Sequence, residues 1–169
     1  VVFDLDDPPG DGELCSGWKG LSVFCGPHGL DGEADVLFRN QGDGSFADMS
    51  VATEIAQQVY LGLGVLFTDF DGDGDQDLYV ANDFFGSDRL YHNLGNGTYE
   101  EIASKELPNP PWFSMGTDVA DLNNDGLLDL MGSDMAGSDH YKSKMGMGDL
   151  EKDIWFLTTS QPRQYMRNA

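Results

Sequence analysis

Residues 64–80 read GVLFTDFDGDGDQDLYV, and residues 116–132 read GTDVADLNNDGLLDLMG. In both, an apolar run leads into a DxDxDGxxD-type nonapeptide, and a second apolar run leaves directly from its ninth residue. The first loop places Asp69, Asp71, Asp73 and Asp77 at positions 1, 3, 5 and 9, with Gly74 at the sharp turn and the carbonyl of Asp75 at position 7. The second loop repeats the scheme with Asp121, Asn123, Asp125, Gly126, the carbonyl of Leu127, and Asp129. Ca²⁺ takes six to eight oxygens at about 2.3–2.6 Å, and alternate residues of a tight turn supply them well. The spacing therefore predicts two calcium sites. Carboxylates held about 4–5 Å apart repel by a few kcal/mol per close pair at an effective dielectric near 20, so the loops are expected to open without a cation. Asn123 removes one negative charge and predicts a weaker second site.

Of two competing readings of the loops, one fails on position and the other is the lesser on geometry. An EF-hand needs an acidic residue at position 12 and flanking helices, whereas position 12 is Val80 in one loop and Gly132 in the other. Magnesium demands octahedral geometry that all-protein cages rarely meet.

Working outward, LFRNQGDGSFADM at 37–49 is answered by LYHNLGNGTYEEI at 90–102, an offset of 53 residues, and the two loop segments are 52 apart. Two different motifs thus recur with nearly one period, which marks a repeat architecture. Between 62 and 103 four short runs, LGVLFTD, DLYVAND, RLYHN and TYEEIA, carry strand character and are bounded by Gly, Asn and Asp. Gly95-Asn96-Gly97, like Gly42-Asp43-Gly44 before it, supplies the left-handed positions of a hairpin. Four antiparallel strands per unit of ~40–50 residues make a propeller blade. The expected fold is all-β: a partial β-propeller with calcium loops between the first two strands of a blade. It comprises a half blade at 35–51, a whole blade at 62–103 and an incomplete blade at 114–169. Residues 1–34 and 137–162 read as long insertions, the first belonging to a preceding blade, and the whole as a fragment of a larger propeller. DLEKDIWFL, with Asp149 as its cap, is expected to form a short helix, and the methionines at 131, 135, 145 and 147 to serve loop packing.

Composition narrows the function. Thirty acidic residues against nine basic ones give a net charge of −21, which repels phosphate backbones and anionic membrane surfaces, so no nucleic acid partner is expected. No run of about 18 apolar residues occurs, so no membrane insertion is expected. Cys15 and Cys25, ten positions apart, are consistent with either a disulfide or two free thiols, and lack the pairing a zinc site requires.

On the paired aspartate loops, in phase with the paired hairpins, the chain resembles the FG-GAP/VCBS repeat propellers that include the integrin α-subunit head. FCGPHGL, LFRNQGDGSF and the terminal QYMRNA make it similar, more narrowly, to bacterial cartilage-acidic-protein-like (ASPIC/UnbV-associated) proteins. The resemblance implies a secreted, periplasmic or cell-surface module with a binding role, its partners an unknown protein or carbohydrate and the remaining blades of the same chain. Trp18, Trp112 and Trp155 are candidate anchors for such a partner, with inter-blade packing as the alternative. No catalytic residue and no organic cofactor is assigned. The rival reading, a calcium-dependent lyase or hydrolase acting on polysaccharide, rests on scattered groups (His28, His92, His140, Tyr141, Lys142 and Lys144), of which His140-Tyr141-Lys142 is the one cluster suited to acid/base work. His92 occupies the repeat position of Arg39 and reads as the exposed face of a strand.

Overall fold

The computed structural model describes residues 32–135, apart from 58, 84, 85, 109 and 112, together with the backbone of 14–16 and 22–24. Among these residues the chain is all-β apart from a 3-10 turn at Ile55–Gln57 and one α-helical segment of four residues. Strands β1 (Leu14–Ser16) and β2 (Ser22–Phe24) form an antiparallel hairpin. β3 (Glu33–Ala34) pairs with β6 (Val59–Tyr60), and β4 (Phe38–Asn40) with β5 (Phe46–Asp48). The centre is a four-stranded meander of β7 (Gly62–Thr68), β8 (Asp77–Asn82), β9 (Arg89–Asn93) and β10 (Tyr99–Glu101), all antiparallel and adjacent in chain order. β11 (Ser114–Ala120) and β12 (Asp129–Asp134) form the hairpin that follows, and β11 packs against β7. The architecture is a partial β-propeller with one complete blade, the outer hairpin of the blade before it and the inner hairpin of the blade after it.

The repeat seen in the sequence is a repeat of hydrogen bonds. Adding 53 to β4–β5 reproduces β9–β10 pair for pair: Phe38↔Asp48 becomes Tyr91↔Glu101, and Asn40↔Phe46 becomes Asn93↔Tyr99. The turns agree as well. Gln41 N donates to Ser45 O at 3.0 Å and Leu94 N to Thr98 O at 3.0 Å, while Asp43 and Asn96 each accept from a hydroxyl two residues on at 2.6 Å. Side-chain acceptance from the residue two ahead is the Asx-turn that makes Asn and Asp the natural occupants here. Adding 52 to β7–β8 likewise gives β11–β12, down to the bulge at Gly62/Gly64 and at Ser114/Gly116.

All six residues of β8 are buried, because it has a strand on each edge and cover on both faces. On one face Leu78, Val80 and Tyr91 pack with Ile55, against Leu37 of the preceding segment. On the other Tyr79, Ala81, Leu90 and Ala103 pack with Leu66 and Phe70, against Leu130 of the following hairpin. Period-2 alternation thus assigns one face of the sheet to each neighbouring blade.

Two expectations need adjustment. The fourth strand spans 99–101 and not 98–103, because Ala103–Glu106 turns into a short helix (α1) whose first N–H, that of Ala103, is taken by the Glu101 carboxylate at 2.9 Å. Met131 lies on β12 and Met135 just beyond it, both exposed, so neither serves loop packing within the described residues. Cys25, Met145 and Met147, the segment 137–162 with its expected helix, and all three tryptophans lie outside the described residues.

Candidate metal centre

The connection between β7 and β8 is built around its own aspartates. Asp69 Oδ1 accepts from Gly72 N at 2.7 Å and Asp73 N at 3.1 Å, and Asp69 Oδ2 from Gly74 N at 3.0 Å. Asp71 Oδ1 accepts from Asp73 N at 3.1 Å, and Asp73 Oδ1 from Asp75 N at 2.8 Å. Gly74 sits at φ +95°, a conformation that costs an L-residue roughly 1–2 kcal/mol. Each alternate side chain is thereby folded inward over the turn. One oxygen from each of Asp69, Asp71 and Asp73 lies within 4.8 Å of the others. The backbone amides aimed at these carboxylates offset part of their mutual repulsion, so the loop holds its shape by more than a cation alone.

Loop two is congruent. Asp125 N donates to Asp121 Oδ1 at 3.0 Å and to Asn123 Oδ1 at 2.9 Å, Gly126 N to Asp121 Oδ2 at 2.9 Å, and Leu127 N to Asp125 Oδ1 at 2.8 Å. In place of a third carboxylate, Asn123 donates its amide to Asp125 Oδ2 at 2.9 Å. That bond and the Leu127 N–H hold the Asp125 carboxyl below the usual carboxylate range, the backbone bond contributing most. Asn124, at φ 59°, takes the left-handed position that Gly72 holds in loop one.

The ninth-position aspartates are struts as well as candidate ligands. Asp77 is buried, its Oδ2 accepting from Phe70 N at 2.9 Å and its Oδ1 from Asn93 N at 2.8 Å. Asp129 repeats the first of these bonds, from Leu122 N at 2.9 Å. The donor set in both loops is hard oxygen, which suits Ca²⁺ and not a soft metal. The residues present fit the ion.

The family comparison places these loops. Two stretches, 21–80 and 69–132, match the family described as FG-GAP-like repeat. The chain belongs to the FG-GAP-like repeat family. Among curated relatives, this FG-GAP-like chain is similar to cartilage acidic protein 1 of Homo sapiens, at 30% identity over 136 residues, covering 72% of the chain and 20% of that protein. It is similar also to the Xenopus tropicalis protein of the same name, at 31% over 110 residues, covering 60% of the chain and 16% of that protein. The chain spans about a fifth or less of these relatives' length. Membership makes it a propeller-type interaction module, and among the described residues no helix is long and apolar enough to cross a membrane.

One residue of this FG-GAP-like blade was misplaced by sequence reasoning. His92 is half-buried and turned toward loop one, its Nδ1 3.1 Å from Asp77 Oδ1 and 3.4 Å from Asp71 Oδ2, so it is not simply the exposed face of a strand. The missing signal was register: with Tyr91 opposite Leu78, the next residue of β9 falls beside the base of the loop. Asn93 adds to that anchorage, donating its amide to Gln76 O at 3.1 Å. The remaining candidates for acid/base work, His28, His140, Tyr141, Lys142 and Lys144, lie outside the described residues.

A second polar cluster, unforeseen in the sequence, is sealed inside the blade interface. Asp88 is fully buried, its Oδ2 accepting from the hydroxyls of Tyr79 and, at 2.8 Å, Ser114, its Oδ1 from Asn82 N at 2.8 Å. Burial raises the Asp88 carboxyl above its ordinary range despite three hydrogen bonds that pull the other way, and burial raises the Tyr79 phenol too. Ser114 belongs to β11, so the cluster stitches the complete blade to the next. Its role is structural.

Proposed function

We propose that this chain is a calcium-binding propeller module that acts by binding at an extracellular or cell surface and carries no catalytic site. The observation that supports it is the congruence of the two loops, each presenting inward-folded oxygens at positions 1, 3 and 5 of the turn. Asp69, Asp71, Asp73, the carbonyl of Asp75, and Asp77 would hold one ion; Asp121, Asn123, Asp125, the carbonyl of Leu127, and Asp129 the other. Bound calcium supplies rigidity by cross-linking the turn, while the loops around the blades offer contact surface to a protein or carbohydrate partner.

Thermal unfolding tests the reading. Calcium at about 100 times its Kd adds roughly 2.7 kcal/mol per site by linkage, which for a chain of this size is a rise of roughly 5–10 °C. Identical melting curves in excess chelator and in millimolar calcium would overturn it.

A further inference from the structure

Asp71 stands in two clusters at once. Inside loop one its carboxylate groups with those of Asp69 and Asp73; at the base of the loop Asp71, Asp77 and His92 each offer one ligand atom, all three within 4.8 Å of one another. His92 Nδ1 lies 3.1 Å from Asp77 Oδ1 and 3.4 Å from Asp71 Oδ2. An ion bonded at about 2.0–2.1 Å with tetrahedral angles sets its ligand atoms about 3.3–3.4 Å apart, so both separations are close to those of ligands on one small cation. Ca²⁺ draws its ligands from oxygen. An imidazole nitrogen beside two carboxylates suits Zn²⁺ instead.

Each ligand is aimed by a bond on its other side, as outer hydrogen bonds aim the ligands of metal sites. Buried Asp77 is held twice, Oδ2 by Phe70 N at 2.9 Å and Oδ1 by Asn93 N at 2.8 Å. A carboxylate oxygen accepts at two positions, so Oδ1 keeps one for the point it shares with His92. Asp71 Oδ1 accepts from Asp73 N at 3.1 Å, which leaves Oδ2 to face the imidazole. The ring is carried by β9, whose register on β8 is fixed by Tyr91 opposite Leu78. Two carboxylates and a neutral imidazole balance the charge of a divalent ion, and the exposed side of Asp71 leaves a fourth position to water. Arg39, at the same repeat position in β4, repels a cation. Among the described residues His92 is the one histidine, so no imidazole among them serves loop two.

We propose that His92, Asp71 and Asp77 form a binding site for a borderline divalent ion of the Zn²⁺ class, which gives loop one a metal specificity that the all-oxygen loop two lacks. Asp71 and Asp77 are also candidate calcium ligands, so zinc and calcium exclude one another at loop one, while zinc leaves loop two to calcium. The site shares those two residues with the calcium reading but does not require calcium to bind.

Calorimetric titration of zinc chloride into the whole 169-residue chain, stripped of metal by chelator, tests it. The chain has three histidines, so the comparison is made in a His28→Gln/His140→Gln background that leaves His92 alone. There His92→Gln is expected to weaken zinc binding at least about tenfold, as loss of a ligand costs no less than loss of its outer partner, and to weaken calcium binding far less. Zinc affinity indifferent to His92→Gln, or zinc and calcium weakened alike because the imidazole merely props Asp77, would each overturn the proposal. Should a variant fail to fold, the unsubstituted chain decides: long-range ¹H–¹⁵N spectra are expected to show His92 coordinated through Nδ1 when zinc is added, and His92 nitrogens unmoved by zinc would overturn it. A chain that takes zinc through His92 but no calcium would support this site and refute the calcium reading alone.

Discussion

Charge count separates the two loops at the level of single residues. Asp73 brings a full negative charge to the centre of loop one, where Asn123, two positions earlier in its own turn, brings none and spends its amide on Asp125. Asp73→Ala is therefore expected to weaken calcium binding more than Asn123→Ala in calorimetric titration; equal losses would show that both loops depend on oxygen count and not on charge. Asp88 offers a different experiment. Its folded-state pKa is raised, so its contribution to stability is complete below the ordinary carboxylate range and is lost as pH rises through the raised value. Asp88→Asn keeps the shape, stays neutral and forfeits one acceptor, a cost of about 1–3 kcal/mol. The deficit of the variant in urea unfolding is expected to be larger in acid than at neutral pH. A deficit that does not change with pH would mean that Asp88 does not titrate in the transition.

Elements in this fold are fastened by contacts the strand pattern does not announce. The turns of two of them, the nonapeptide loops, were readable, because position, residue type and glycine placement are all local. The hairpin turns were readable for the same reason. The end of β10 was not: TYEEIA has strand composition, but the Glu101 carboxylate caps Ala103 and turns the chain. The link between β8 and β9 was equally hidden. Gly86, at φ +94°, lies so close under the Tyr60 ring that an added Cβ would fall 2.0 Å from a ring carbon, and that ring lies 4.7 Å from the Arg89 guanidinium, which also bonds the Tyr60 hydroxyl. Gly86→Ala must displace Tyr60 and adopt a left-handed backbone, and is expected to destabilise by about 2–4 kcal/mol by urea unfolding. A loss under about 1 kcal/mol would show that β6 gives way without cost.

For the molecule as a whole, alternation along β7 and β8 told that two faces are apolar but not which neighbour each one meets; only the repeat offset, combined with the packing of β11 against β7, assigns them. The buried Asp88 cluster was illegible for a related reason, since its partners come from β8, β9's approach and β11, up to 26 residues apart. Charge, by contrast, was fully legible in amount and only partly in effect. An excess of twenty-one negative charges destabilises a compact state by self-repulsion. The two loops concentrate a share of that excess within a few ångströms, closer than the screening length of about 10 Å at 0.1 M salt, which shortens to about 3 Å at 1 M. Two divalent ions would offset four of those charges where they are densest. Melting temperature is therefore expected to climb with sodium chloride more steeply in chelator than in saturating calcium. Equal slopes in the two series would locate the repulsion on the general surface and leave the loops without a special part in it.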